Sequence, residues 1–237
     1  MNTGSVSIQV ALNFRCTARD KVSDRQVTLT SAVIAGWTGR DKEAMEKHIT
    51  ELEALGVTRP RTTPIFYRTS AARVTTAKVI EVTGNGSSGE VEFVLIQHEG
   101  EQWVGVGSDH TDREVETYSV TVSKQMCEKP VAPELWLYED VSAHWDQLIL
   151  RSFIVNGERR ELYQEGVAGA MLAPDDLIGK FTDGDSRLPD GTVMFGGTLA
   201  AIGGVRPAGR FEFELEDPVL HRRISYGYDV LKLPVQG

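Results

Sequence analysis

Glu90-Val91-Glu92 places two carboxylates two positions apart in a stretch rich in Val and Ile. In a β-strand, residues i and i+2 point to one face, about 7 Å apart. Two ionised carboxylates held there between apolar neighbours repel each other, and a shared divalent cation removes the repulsion. Asp109, in the polar run SDHTDRE, would add a third hard oxygen donor, a set suited to Mg²⁺ or Mn²⁺. His110 and Asp112 compete with it for any such role. Lys124 stands between Val122 and Met126 in a stretch that reads as strand, so it either snorkels to solvent or points at a negative partner. His48 and Glu51 are three residues apart on a helical stretch and share a face, where a carboxylate can orient an imidazole as a general base. Gly196, Gly197 and Thr198 open a glycine-rich run to Gly204, whose backbone N–H groups can approach an anion closely. Each feature also has a plain reading: solvent-facing glutamates, a capping aspartate, a helix-surface pair, a glycine-rich turn. No G-x-S-x-G, H-E-x-x-H or dinucleotide fingerprint stands in a fitting context.

The elements that must carry these residues follow from hydrophobic period. Residues 5–14 and 26–34 alternate as half-buried strands do. From Gly39 to Leu55, apolar residues recur at three and four, which predicts an amphipathic helix with Gly56 as its C-cap. Pro60 and Pro64 mark an extended connection. Short Val- and Ile-rich segments at 73–83, 90–97 and 102–107 read as strands with Gly-rich turns between them. Segment 148–155 runs into Asn156-Gly157, a hairpin signal. Pro174-Asp175-Asp176 opens a short helix to about Phe181. Residues 192–198, 210–216 and 222–232 complete the strands. The expected class is α+β, dominated by β-structure, with a small α/β region at 1–61 and a larger β domain at 62–237. Up to Arg61 the chain carries nine Lys/Arg and seven Asp/Glu, against a net charge of -9 for the whole, so the remainder holds -11.

That acidic balance argues against non-specific binding to nucleic acid or anionic membranes, which needs clustered positive charge. No apolar run reaches 18 residues, and the N-terminal stretch alternates where a secretory signal would be continuously apolar. Two cysteines, Cys16 and Cys127, outside any C-x-x-C pattern, fit a reduced, cytoplasmic setting.

The order of the pieces says more than any one alone. His48-x-x-Glu51, Pro60 to Pro64-Ile65-Phe66, Glu90-x-Glu92, Asp109 four residues before Arg113, Lys124, Val155-Asn156-Gly157-Glu158 and LPDGTVMFGGTLAAIGG follow one another along the chain. Over roughly residues 46–232 this order resembles the fumarylacetoacetate hydrolase superfamily, in its DUF2848 branch. The resemblance implies a mixed β-sandwich roll with a small, variable N-terminal region, assembled as a homodimer. It implies one Mg²⁺ or Mn²⁺ on Glu90, Glu92 and Asp109, with Arg113, Gly197 and Thr198 on the substrate. It makes Lys124, His48 and Glu51 the catalytic groups, His48 and Glu51 on a lid-like helix.

The implied reaction is metal-dependent hydrolysis of a C–C bond in an acylpyruvate-like 2-oxo acid. Lewis-acid chelation of the substrate would stabilise the enolate, Lys124 and the Thr198 backbone would hold negative charge, and His48 would activate water. Decarboxylation, hydration or isomerisation of a 2-oxo acid, or non-catalytic carboxylate binding, fits the same scaffold. The chain departs from the family pattern at Leu199 (usually proline), at Glu116 (often glutamine), and in a shortened interval from Glu92 to Asp109; the Asn-Tyr pair before His48 is absent.

Overall fold

The computed structural model describes residues 8–54 and 59–236, without the side chains of His48, Glu51, Leu52 and Ala54. Gly56, expected as the helix cap, lies outside the described residues. The chain opens with the hairpin β1 (Val10–Ala18) and β2 (Lys21–Leu29), then β3 (Ser31–Gly36), α1 (Lys42–Ala54) and β4 (Ile65–Thr69). The single alternating stretch expected at 26–34 is therefore two strands broken at Thr30. Next come the short β5 (Val74–Thr75), β6 (Val79–Thr83), β7 (Ser87–Ser88), the long hairpin β8 (Val91–His98) and β9 (Glu101–Ser108), and β10 (Thr111–Asp112). Helices α2 (Arg113–Tyr118) and α3 (Val120–Met126) lead to β11 (Lys129–Pro130), β12 (Glu134–Leu137) and α4 (Tyr138–Val141). The hairpin β13 (Ile149–Asn156) and β14 (Arg159–Val167), α5 (Pro174–Phe181), β15 (Thr192–Thr198), β16 (Arg210–Asp217) and β17 (Arg222–Leu233) complete the chain.

Two sheets carry the molecule. The larger runs β2-β1-β12-β9-β8-β15-β3-β4, the smaller β14-β13-β16-β17-β6. Only Thr30 separates β2 from β3, yet five strands lie between them in the sheet. One residue spans about 3.5 Å, whereas six strand spacings are near 29 Å. The sheet therefore curls into a roll, and Thr30 donates its N–H to the Gly191 carbonyl at the closure, 2.8 Å away. Strands from both sides of residue 61 share this sheet: β1 pairs with β12, and β3 with β15.

β8 is buried along almost its whole length because both of its faces are covered. Val91, Phe93 and Leu95 meet Ile154, Phe211 and Leu215 of the smaller sheet. Val94 and Ile96 face a second cluster inside the roll, with Phe14, Val27, Trp103 and Phe195. Glu92 shares the parity of Val94 and Ile96, so it points to the roll side.

The register of β8 with β9 is set by a two-residue turn. Glu99 and Gly100 both have positive φ, 50° and 77°, the geometry that matches strand twist in a tight hairpin. The Asp190 carboxylate accepts from both of their N–H groups. Pairing then runs from His98↔Glu101 to Val91↔Ser108, which leaves Glu90 opposite Asp109. A one-residue slip would turn every side chain to the other face.

Gly100→Ala should destabilise the protein by about 1–2 kcal/mol, although a Cβ there meets nothing, because the cost is the left-handed backbone alone. Gly179→Ala, equally unobstructed but inside α5, should stabilise it by about 0.5–1 kcal/mol. Urea unfolding of both variants checks the pair; equal shifts of one sign would contradict it.

Candidate metal centre

Glu90, Glu92 and Asp109 each offer a carboxylate oxygen, and these oxygens lie within 4.8 Å of one another. Strand register brings them there. Asp109 follows β9 directly and donates its N–H to the Glu90 carbonyl, 3.0 Å away, one step beyond the last ladder pair. Glu92 lies two residues along β8, on the same face as Glu90. Asp109 is fully buried and Glu92 nearly so, while the Glu90 side chain keeps 18% of its surface exposed and marks the open side.

β15 supplies the wall beside Glu92. Its pairing with β8 shifts between Phe195 and Thr198, and the bulge turns the Gly197 N–H onto Glu92 Oε2 at 2.7 Å. Gly197 has φ 101°, and a Cβ there would sit 1.8 Å from Thr38 Oγ1, so only glycine fits. The Thr198 hydroxyl donates to the Val91 carbonyl and accepts from Gln164 Nε2. Gly197 and Thr198, two of the three residues expected on the substrate, thus have this N–H and this hydroxyl taken up by the protein.

The cations come from the helical excursion after β9. Asp112 caps α2, accepting from the N–H groups of Glu114 and Val115. Ser119 caps α3, which presents Ser123 and Lys124 inward and Val122 and Met126 outward. The strand expected around Lys124 is a helix: β-branched Val120, Thr121 and Val122 favour strand, but the Ser119 cap and the buried ammonium decide otherwise. Lys124 Nζ bonds Asp109 Oδ2 and lies 3.9 Å from Glu90 Oε2. Lys129, on β11 and fully buried, places Nζ 3.0 Å from Asp109 Oδ1 and 2.5 Å from the His110 carbonyl. Arg113 donates from Nε to Ser88 Oγ and from Nη1 to Glu116 Oε2, and its Nη2 is 3.1 Å from Glu90 Oε1.

Sequence reading did not single out Lys129, and a Lys-Pro dipeptide carries no signal of a buried ion pair. It singled out His110 only as a rival of Asp109 and not as part of a layer behind it. There His110 bonds Tyr228 through Nδ1 and Ser87 through Nε2, and Tyr228 bonds Ser108. Burial first, then Lys129 and Arg113, push the His110 ring down to about 3, so it is neutral. It stands with Asp112 as scaffold around Asp109 rather than as a competing ligand. His48 and Glu51 lie on α1, whose backbone is described while their side chains are outside the described set.

The electrostatics are divided. Burial raises Glu90, partly offset by Arg113 and Lys124. Burial, then Asp109 and Glu90, raise Glu92 well above the carboxylate range. Burial would raise Asp109 too, but Lys124 and Lys129 outweigh it and hold the group below its ordinary value. Among the described residues no cationic side chain pairs with Glu92. A buried carboxylate lacking a counter-charge, within 4.8 Å of two others, suits a divalent ion. The donor set therefore fits Mg²⁺ or Mn²⁺.

The raised Glu92 pKa sets a pH dependence. A carboxyl whose folded pKa exceeds its unfolded value, about 4.3, contributes stability that is complete below that value and lost as pH rises through the folded pKa. Asp109 acts oppositely, but only at pH below its unfolded range. The melting temperature of metal-free protein should therefore fall as pH rises above the ordinary carboxylate range, with Glu90 adding in the same sense, and Mg²⁺ or Glu92→Gln should make the fall shallower. A wild-type profile as flat as that of the variant would contradict this.

Residues 35–228 match the family model described as a protein of unknown function, DUF2848. No curated protein matches the sequence. Among solved structures, a fumarylacetoacetate hydrolase family protein of yeast is similar at 18% identity and TM-score 0.61, over 88% of this chain and 95% of that one. A candidate fumarylpyruvate hydrolase from Burkholderia cenocepacia is similar at 17% and 0.62, over 99% and 97%. The 5-carboxymethyl-2-hydroxymuconate delta-isomerase of Mycobacterium smegmatis is similar at 14% and 0.58, over 90% and 87%. With two-thirds and more of its length matched by the family model and the rolled sheet shared with these structures, the chain belongs to the DUF2848 family and has the fold of the fumarylacetoacetate hydrolase family.

Proposed function

We propose that this protein is a divalent-metal-dependent enzyme of 2-oxo acids, and that its reaction is hydrolysis of a C–C bond in an acylpyruvate-like substrate. The observation that carries the reading is the buried cluster of Glu90, Glu92 and Asp109. Mg²⁺ or Mn²⁺ held there would supply Lewis-acid polarisation of a carboxylate and its adjacent keto oxygen. Lys124, beside Asp109 and Glu90, would hold negative charge as it develops on the substrate. Gly197 orients Glu92 through its N–H, and Arg113 orients Glu90. His48, steered by Glu51, would pass a proton to or from water. A substrate-contacting role for the Thr198 backbone belongs to the same proposal.

A second reading keeps the site and changes the outcome. Without water attack on the C–C bond, the same charge stabilisation serves isomerisation or decarboxylation, and water adding across a C=C bond instead gives hydration; one structurally similar protein is an isomerase. A homodimer in the cytoplasm completes the proposal; the two buried, unpaired cysteines, both thiols raised by burial to about 11, suit a reducing compartment.

Calorimetric titration with Mg²⁺ and Mn²⁺ should give one site per chain, weakened about 100-fold or more in Glu90→Ala and Glu92→Ala, since even an outer-sphere partner is worth about 10–100-fold. With metal, a panel of acylpyruvates, oxaloacetate and 2-hydroxydienoates should show turnover, with products identified by mass spectrometry. Unchanged metal affinity in both variants would remove the centre. Metal binding with no turnover would leave a carboxylate-binding module.

A further inference from the structure

The guanidinium nearest the acidic cluster is already ion-paired to two carboxylates, Glu90 and Glu116, although its Nη2 makes no hydrogen bond. Nε of Arg113 donates to Ser88, Nη1 to Glu116, and Nη2 faces Glu90. Lys124 is held on Asp109, and Lys129 is sealed behind it with no exposed surface. Among the described residues, no cation at this centre is left over for a second anionic group on a ligand.

Glu116 makes the difference. It sits on the first turns of α2, its side chain 29% exposed, on the same open side as Glu90 and Arg113. Its charge is felt by Glu90, Arg113 and Lys124, so it lies at the mouth and not on a distant surface. The half-buried Tyr67 of β4 borders the same charges and is kept neutral by burial. Four carboxylates, Glu90, Glu92, Asp109 and Glu116, stand against three cations, Arg113, Lys124 and Lys129, which leaves one negative charge. A divalent ion turns this into one positive charge, the match for a ligand with one carboxylate.

We infer that the centre selects 2-oxo acids that carry a single carboxylate and an uncharged distal end, and that Glu116 enforces the choice by occupying Arg113 and by repelling a second carboxylate at the mouth. This rests on the reading of the centre as a 2-oxo acid site. A distal carboxylate would arrive beside Glu116 with every nearby cation paired. Charges about 6 Å apart near a protein surface interact strongly enough for a tenfold or larger effect on affinity.

The test compares two five-carbon probes, 2-oxopentanoate with one carboxylate and 2-oxoglutarate with two, by calorimetry on the Mn²⁺-supplemented protein. Wild type should bind 2-oxopentanoate at least about tenfold more tightly, and Glu116→Gln, which keeps an acceptor for Arg113 but loses the charge, should shrink that ratio about tenfold. Equal affinities, a preference for 2-oxoglutarate, or an unchanged ratio in the variant would overturn the inference and leave the 2-oxo acid reading standing. Failure of wild type to bind either probe would overturn both.

Discussion

Three carboxylates packed within 4.8 Å of one another inside a protein repel, and burial strips away the water that would screen them. The architecture around Glu90, Glu92 and Asp109 holds them there by three separate devices. Strand register places Glu90 opposite Asp109, and a bulge in β15 turns a backbone N–H onto Glu92. A pair of short helices and β11 deliver Arg113, Lys124 and Lys129. Asp109 receives two ammonium groups, Glu90 a guanidinium, and Glu92 only a backbone N–H. The uneven distribution leaves one position in the cluster short of positive charge, and that shortage is what a divalent ion would fill.

The two-sheet frame makes the arrangement rigid. β8 is covered on both faces, so neither Glu92 nor the start of the strand can shift without disturbing Phe93 on one side or Val94 on the other. Phe93 packs edge-on against Trp145, and a Cβ at Gly196 would fall 2.0 Å from its ring, so β15 can approach β8 only with glycine there. Behind Asp109 the neutral His110 ring ties Tyr228 of the smaller sheet to Ser87 of β7. The centre therefore draws support from both sheets, and Glu90, Arg113 and Glu116 are its partly exposed side chains.

Much of this was legible in the residues because it rests on short-range rules. The spacing of Glu90 and Glu92 put two side chains on one face, the helical period marked α1, and Pro174 opened α5. What escaped depends on long-range contacts. VTVSKQM has the composition of a strand, but Ser119 caps it and Lys124 is drawn into a buried pair, so it coils. Thr30 looks like the middle of one strand, and only closure of the roll makes it a corner. At the hairpin after β13, Asn156 pairs with Arg159 and the turn falls on Gly157 and Glu158, one place later than the Asn-Gly signal suggests. Lys129 carries no local mark at all, since its partner lies twenty residues earlier on another element. Arg113 was legible as a cation near the acids, but not as one already engaged by Ser88, Glu90 and Glu116.

The most direct measurement is anomalous diffraction from crystals grown with Mn²⁺. The account predicts a single strong peak enclosed by Glu90, Glu92 and Asp109, within bonding distance of one oxygen from each. No peak at that position in the presence of excess Mn²⁺ would contradict it.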